Sequence, residues 1–341
     1  MSPKPITYPL GETLPEPGST IELAPGVSWL RMPLPYSLNH INLWLLADGK
    51  DTWCAVDTGM AMGDVQTHWQ QILATHKLSR QIVTHYHPDH LGLAVWLQEQ
   101  TGASVSMTQG EYLTALAFFN ETGNYSPEAT SELFRRHGLS AERLAAMAAR
   151  GNGYKRAVSA IPSSYSIIRD QQLIRIGAHE WRVIVGHGHC PEHAALYCAE
   201  LGVLIGGDMM LPSISTNVAV FAPNPDDDSL TDFLNSIRAF TALPENTLVL
   251  PSHGRPFRGI HARVASLEKH HADRCTELVT ACRTQAHTAA SLLPILFSRD
   301  ITDPHQTLFA MSEAIAHLNY LQQRGELIRT EDNGTLYYRA T

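Results

Sequence analysis

The sequence predicts a layered α/β protein with a helical insertion and a helical tail that ends in a hairpin. Three observations predict it. Short apolar runs alternate with stretches of helical periodicity from about residue 21 to residue 258. Residues 110–160 interrupt that alternation with helical patterns and no strand between them. After about residue 258, long helical patterns lead into two short apolar runs that flank Asp332-Asn333-Gly334, a hairpin turn signal.

Residues 27–32 read as the first clear strand, followed by the proline-bounded loop Pro33-Leu34-Pro35-Tyr36-Ser37. Residues 41–46 and 52–56 read as two strands joined at Asp48-Gly49-Lys50-Asp51. A helix is expected over 63–75, a short strand over 81–84 and a buried helix over 91–97. The insertion predicts helices over 111–120, 131–138 and 141–150, separated by Gly, Asn and Pro, an arrangement suited to a lid. Strands resume over 172–176, 181–185, 194–198 and 203–205, with a helix over 229–241 and a strand over 247–250. The tail predicts helices over 261–283, 289–297 and 305–323, then a two-strand wing at 327–329 and 336–338. This divides the chain into a first domain, 1–258, and a C-terminal domain, 259–341.

With 341 residues, 44% hydrophobic and 17% charged, the chain has the composition of a globular protein with a proper core. A formal charge of −8 argues against a generally basic nucleic-acid-binding surface. No run approaches the roughly 18 apolar residues of a membrane helix. Residues 1–9 lack the apolar core of a signal peptide, and their prolines predict an extended arm. Five cysteines (54, 190, 198, 275 and 282) without a CxxC pair read as free thiols in a reducing compartment, the cytoplasm by default.

The 18 histidines carry the chemistry. His85, His87, Asp89 and His90 fall in His85-Tyr86-His87-Pro88-Asp89-His90, directly after a strand. Histidines at i and i+2 of an extended segment share a side, so both imidazoles reach one ion. Asp89 and His90 lie at the turn into the next helix, placed for a neighbouring ion. Three further elements follow: His189 in Gly186-His187-Gly188-His189-Cys190-Pro191-Glu192-His193, Asp208 in Gly206-Gly207-Asp208, and His253 in Pro251-Ser252-His253-Gly254. Each sits just beyond an apolar strand, where α/β sites collect, as does Asp57 in Val56-Asp57-Thr58-Gly59. The surface is the expected place for the remaining histidines, such as His68, His76 and His179.

The order Asp, HxHxDH, His, Asp, His resembles the five motifs of the metallo-β-lactamase fold superfamily over roughly residues 20–258, and implies an αββα sandwich. The resemblance assigns His85, His87 and His189 to one metal, Asp89, His90 and His253 to the other, and Asp208 to a bridge between them. Asp57 resembles the superfamily's aspartate that orients the ligand loop. The family pattern selects His189 over His187 and His193. It leaves His193 as a supporting residue and His187 as a pocket or solvent-facing one. Residues 259–341 resemble the winged-helix extension of one group of β-lactamase-like hydrolases, some of them endoribonucleases. The run His270-His271-Ala272-Asp273-Arg274 is similar to that group's HRxxR segment and departs from it at His271.

The resemblance implies two divalent ions. Imidazole and carboxylate without cysteine suit Zn²⁺ first, with Fe or Mn as alternatives. It also implies a hydrolase that uses a metal-bridging hydroxide, with Asp89 as the residue that orients the water and takes a proton. Cys190 has no evident activating base and reads as packing beside the metal loop. The tail has eight Lys/Arg against nine Asp/Glu, which disfavours a phosphate-gripping surface and suits a pocket wall or an oligomer contact. It differs from the thiol-binding domain of glyoxalase II, and His87 separates the chain from the flavodiiron proteins. Tyr36, Tyr112, Phe118, Phe119 and Tyr125 either line an apolar pocket or pack the insertion's own core.

The expected activity is therefore hydrolysis of an ester, thioester or lactone. A phosphodiesterase or endoribonuclease is the alternative, a single-iron persulfide dioxygenase a further one, and a nucleic-acid-binding regulator with a structural metal the last. The expected partner is a small-molecule substrate, with nucleic acid not favoured, no membrane, and a homodimer compatible with an exposed wing and lid.

Overall fold

Residues 5–341 are described by a computed structural model, so the predicted arm lies outside the described residues as far as residue 4. The chain begins with β1 (Ile21–Ala24), β2 (Val27–Pro33), β3 (His40–Ala47) and β4 (Thr52–Val56). It continues through α1 (Gly63–Leu73), β5 (Lys77–Ile82), α2 (Pro88–Leu91), α3 (Ala94–Thr101) and β6 (Ser104–Met107). The insertion comprises α4 (Gln109–Asn120), α5 (Pro127–Arg136), α6 (Ala141–Ala148) and α7 (Gly153–Ala157). Then come β7 (Ser166–Ile167), β8 (Leu173–Ile176), β9 (His179–Gly186), β10 (His193–Cys198), β11 (Val203–Gly207), α8 (Ser229–Ala239) and β12 (Leu248–Pro251). The tail is α9 (Ile260–Thr284), α10 (Ala289–Phe297), α11 (Pro304–Gln323) and the hairpin of β13 (Leu327–Asp332) and β14 (Thr335–Ala340).

Among the described residues, β1 to β7 form one seven-stranded sheet in sequence order, and a second sheet runs β12-β11-β10-β9-β8. The period-2 alternation of β3 sorts the layers. Trp44 and Leu46 point between the sheets with Trp29, Cys54, Val56 and, from the second sheet, Trp181, Val183, Leu196 and Ile205. Ile41, Leu43 and Leu45 point the other way, onto Trp69 and Ile72 of α1 and Leu97 of α3. The outer face of the second sheet, with Ile184, Ala195 and Leu204, packs on Phe233 and Ile237 of α8 and Val264 of α9. The result is the αββα sandwich.

Capping residues punctuate the insertion. Ser126, Ser140 and Asn152 each accept a backbone N–H of the first helical turn, restarting the helix at α5, α6 and α7. The five-residue α7 is too short to show periodicity in the sequence. The two-residue β7 and the four-residue β6 complete the parallel half of the sheet with β5. The predicted 91–97 helix is two pieces, because the Leu93 amide leaves the helical ladder for Gly59 O (3.1 Å) and Thr58 Oγ1 (3.2 Å).

The second half of the insertion packs on the tail. Leu133, Phe134 and Leu139 share one core with Leu292, Ile315, Leu318, Leu336 and Tyr338. The hairpin turns where Asn333 and Gly334 adopt φ of +48° and +74°. It is not a free wing, because Leu327, Leu336 and Tyr338 are buried and Arg136 pairs with Glu331 (3.1 Å). The N-terminal arm pairs at Thr7 with Arg258, while the Arg255 guanidinium lies over the Tyr8 ring. All five cysteines are unpaired and buried. No helix of the described residues is long and apolar enough to cross a membrane.

Candidate metal centre

Strand ends build the site. Asp57 follows β4, His85 follows β5 by three residues, His189 lies in the β9–β10 loop, Asp208 follows β11 and His253 lies two residues past β12. In a layered sheet these carboxyl-end loops meet at one edge. Asn42 ties the two sheets together there. It donates to Pro251 O (2.8 Å) and Gly254 O (2.9 Å) and accepts from Trp29 Nε1 (2.9 Å).

The structure gathers His85, His87, His189 and Asp208 in one group and Asp89, His90 and His253 in a second, with facing donor atoms within 4.8 Å inside each group. Asp208 faces both. Its Oδ2 lies 3.4 Å from His189 Nε2 and 4.0 Å from His85 Nε2, while its Oδ1 lies 3.5 Å from His253 Nε2 and 3.6 Å from His90 Nε2. Asp89 Oδ2 lies 3.4 Å from His253 Nε2 and 3.7 Å from His90 Nε2. Bonds of about 2.1 Å to a tetrahedral ion give ligand–ligand edges of about 3.4 Å, so these spacings fit donors around a pair of ions. His90 Nε2 and Asp208 Oδ1 are buried without a hydrogen-bond partner, a costly state that an ion would relieve.

The far side of each ring is held. His189 Nδ1 donates to Asn217 O (2.7 Å) and His253 Nδ1 to His40 O (2.8 Å). His90 Nδ1 lies 2.8 Å from Asp57 Oδ2, and His85 Nδ1 lies 3.0 Å from Thr84 Oγ1. These contacts turn Nε2 of His85, His90, His189 and His253 toward the centre, where His87 presents Nδ1 to His85 Nε2 (2.8 Å). Asp57 adopts φ of +64°, a conformation that Asp tolerates better than most residues. Its carboxylate accepts from Thr84 N (2.7 Å), from Thr84 Oγ1 (2.9 Å) and from His90.

Electrostatics separate the two groups. Burial, then His90 and His87, hold His85 well below the ordinary imidazole pKa. Burial pushes His90 the same way, but Asp57, Asp89 and Asp208 outweigh it and raise that imidazole to about 10. Burial alone would raise Asp208, yet the surrounding imidazoles, His253 and His90 first, hold it well below the carboxylate range.

Several supporting residues escaped the sequence reading. Glu111, fully buried on α4, accepts from Tyr86 N (2.8 Å) and Glu192 N (2.6 Å), clamping the first histidine loop to the third. Cys190 donates its thiol to the same carboxylate, and burial together with Glu111 raises that thiol well above its ordinary pKa. His193 Nε2 accepts from Asp208 N (3.1 Å), the supporting role expected of it. His40 and Asn217 act through their backbone carbonyls, which no side-chain pattern reveals. His187 is exposed and lines a cavity of about 310 Å³ with Tyr125, Phe221, Asp227 and Asp232.

The insertion's aromatics take the second of the two expected roles. Phe118 stacks on Tyr86 (centroids 5.3 Å apart) and meets Tyr125 edge-on, Tyr112 stacks on Tyr165 (3.9 Å), and Phe119 lies under Lys155. Phe118 and Tyr112 pack in one cluster with Tyr86 of the histidine loop, while Tyr125 also lines the cavity beside His187. Tyr36 instead stacks on His305 of α11 (4.3 Å), which meets Phe309 (5.0 Å). Beyond burial, Arg150 and Asp89 both act electrostatically on Tyr36 and His305. Contrary to the surface expectation, His137, His271 and His317 are buried.

Comparison with known proteins agrees with this geometry. Residues 38–253 match the metallo-beta-lactamase superfamily, and residues 275–341 match the metallo-beta-lactamase-like C-terminal domain. A protein of Bacillus subtilis (strain 168) named as a probable metallo-hydrolase is 23% identical over 91% of this chain and 96% of its own. The crystal structure of a beta-lactamase domain protein from Burkholderia ambifaria is 44% identical, with a TM-score of 0.91 over 98% of both chains. That of a metallo-beta-lactamase family protein from Thermus thermophilus is 28% identical, with a TM-score of 0.80 over 94% of this chain and 100% of the other. Fold, donor geometry and family match converge: the chain belongs to the metallo-β-lactamase superfamily and is a metal-dependent hydrolase.

Proposed function

We propose that the centre holds two divalent ions, Zn²⁺ first among them, and hydrolyses an ester, thioester or lactone of a small molecule. The observation that carries this reading is the placement of Asp208, whose two carboxylate oxygens face two separate groups of imidazoles. His85, His87 and His189 would hold one ion, Asp89, His90 and His253 the other, and Asp208 both. Two such ions, when bound, lower the pKa of a shared water and polarise a carbonyl oxygen.

The chain's own residues do the rest. Asp89 keeps part of its carboxylate exposed beside His253, where it orients the attacking water, accepts its proton and returns it to the leaving group. Tyr36, His305 and Phe309 give the entrance an apolar, aromatic edge suited to an acyl or aryl group. Asp227 and Asp232 on the neighbouring cavity repel a phosphodiester backbone, which favours carbonyl substrates over RNA. The cysteine-poor site and the unpaired thiols agree with a cytoplasmic location.

The test is a panel of 4-nitrophenyl esters, acyl thioesters, lactones and bis(4-nitrophenyl) phosphate, assayed with wild type and Asp89→Asn. Carbonyl substrates should be cleaved with kcat/KM lowered at least about 100-fold by the substitution. Turnover of the phosphodiester alone would overturn the substrate class.

A further inference from the structure

The C-terminal extension reaches the centre through one short chain of contacts. Helix α11 runs along the loop that follows Asp208, and the two are joined at several points. Val220 N donates to Ser312 O (3.3 Å), and Asn319 Nδ2 donates to Pro225 O (2.9 Å) and Asp227 O (3.0 Å). Midway along this loop, Asn217 Nδ2 donates to Glu313 Oε2 (2.8 Å) and to Phe309 O (3.3 Å), both on α11. The backbone carbonyl of Asn217 in turn accepts from His189 Nδ1 (2.7 Å).

Glu313 is buried, and its oxygen is the side-chain acceptor that fixes the Asn217 amide. A carboxylate removed from water inside a helix interface costs stability unless it is used. Here its use is to orient the peptide whose carbonyl sets the tilt and tautomer of one imidazole. We propose that Glu313 is a positioning residue for His189, so that the C-terminal extension sets the affinity of the His85–His87–His189 group for its ion. The inference rests on reading His189 as a metal ligand.

The test is ion affinity of the full chain, measured for Zn²⁺ and Co²⁺ by competition with a chelating dye, alongside thermal melting of each metal-free protein. Glu313→Ala should weaken one of the two ions about 10-fold, at the lower end of what loss of such a supporting contact costs, and leave the other unchanged. Glu313→Gln should bind within about twofold of wild type, since its amide oxygen still accepts from Asn217. Asn217→Ala removes the donor without touching the α11 core and should repeat the Glu313→Ala loss. Leu318→Ala, at a position also buried on the same helix, should lower the melting temperature with affinity unchanged.

Wild-type affinity in both Glu313→Ala and Asn217→Ala would overturn the proposal. So would an equal loss of affinity in Leu318→Ala, which would reduce the effect to general loosening of the helix. A wild-type chain that binds no ion would remove the ligand reading of His189, and the proposal with it.

Discussion

Asp57 accepts two hydrogen bonds from Thr84 and one from His90, all inside the protein, and so fixes the loop that carries His85, His87 and His90. Asp57→Ala should therefore weaken ion binding by about 10- to 100-fold, measured by chelator competition, although Asp57 need not touch an ion. Affinity equal to wild type would show that the loop holds its shape alone. Gly207 adopts φ of +53°, and a Cβ there would fall 2.2 Å from His193 Nε2. Gly207→Ala should displace His193 from the Asp208 amide and destabilise the fold by about 1–3 kcal/mol in urea melts. Glu313 gives a pH signature, because burial raises its carboxyl from 4.5 to about 7 against a single bond from Asn217. Between those values the unfolded chain releases a proton that the folded chain keeps, so stability falls as pH rises. Glu313→Gln lacks this slope and should gain up to about 3 kcal/mol on wild type between pH 4.5 and 7.5. Burial holds His137 and His317 at about 4, so they add the opposite slope below 6.5, and that slope cancels in the comparison.

Helix α11 and the loop over residues 217–227 behave as one element, because Ser312, Glu313, Asn319 and Gln323 each bond to that loop. Asn319→Ala strips the donor from two carbonyls and should speed amide hydrogen exchange over residues 218–227, with Val220 the clearest reporter. Unchanged exchange there would mean that the loop is held from the sheet side. None of this was legible in the sequence. Glu313 sits in an ordinary helical pattern, Asn217 meets His189 through its backbone carbonyl, and nothing in the pattern of residues 111–120 marks Glu111 as buried. By contrast, the seven residues of the two donor groups were legible, because each follows an apolar strand and the first four fall within six positions. Element positions followed the same division. β4 and α10 run over the expected residues, whereas β5 begins at Lys77 because its exposed Lys77 and Ser79 alternate with buried positions on the sheet. His137, His271 and His317 were misplaced at the surface because a lone histidine carries no signal of burial. His271 and His317 face each other at 3.1 Å across α9 and α11.

At the scale of the molecule, one core runs from α5 through the outer face of the second sheet to β14. The expected division at residue 258 therefore crosses continuous apolar packing in this fold. A chain ending at residue 258 should expose Phe134, Phe233 and Ile237 to water and fail to give a cooperative thermal transition. A sharp transition like that of the full chain would show that the sandwich is autonomous. Whether Asp208 joins two ions is decided by elemental analysis of protein purified without added metal, wild type beside Asp208→Ala. The wild-type chain should carry about two divalent ions, Zn²⁺ first among them, and the variant clearly fewer. A single iron per chain, or an ion content that Asp208→Ala leaves unchanged, would contradict this.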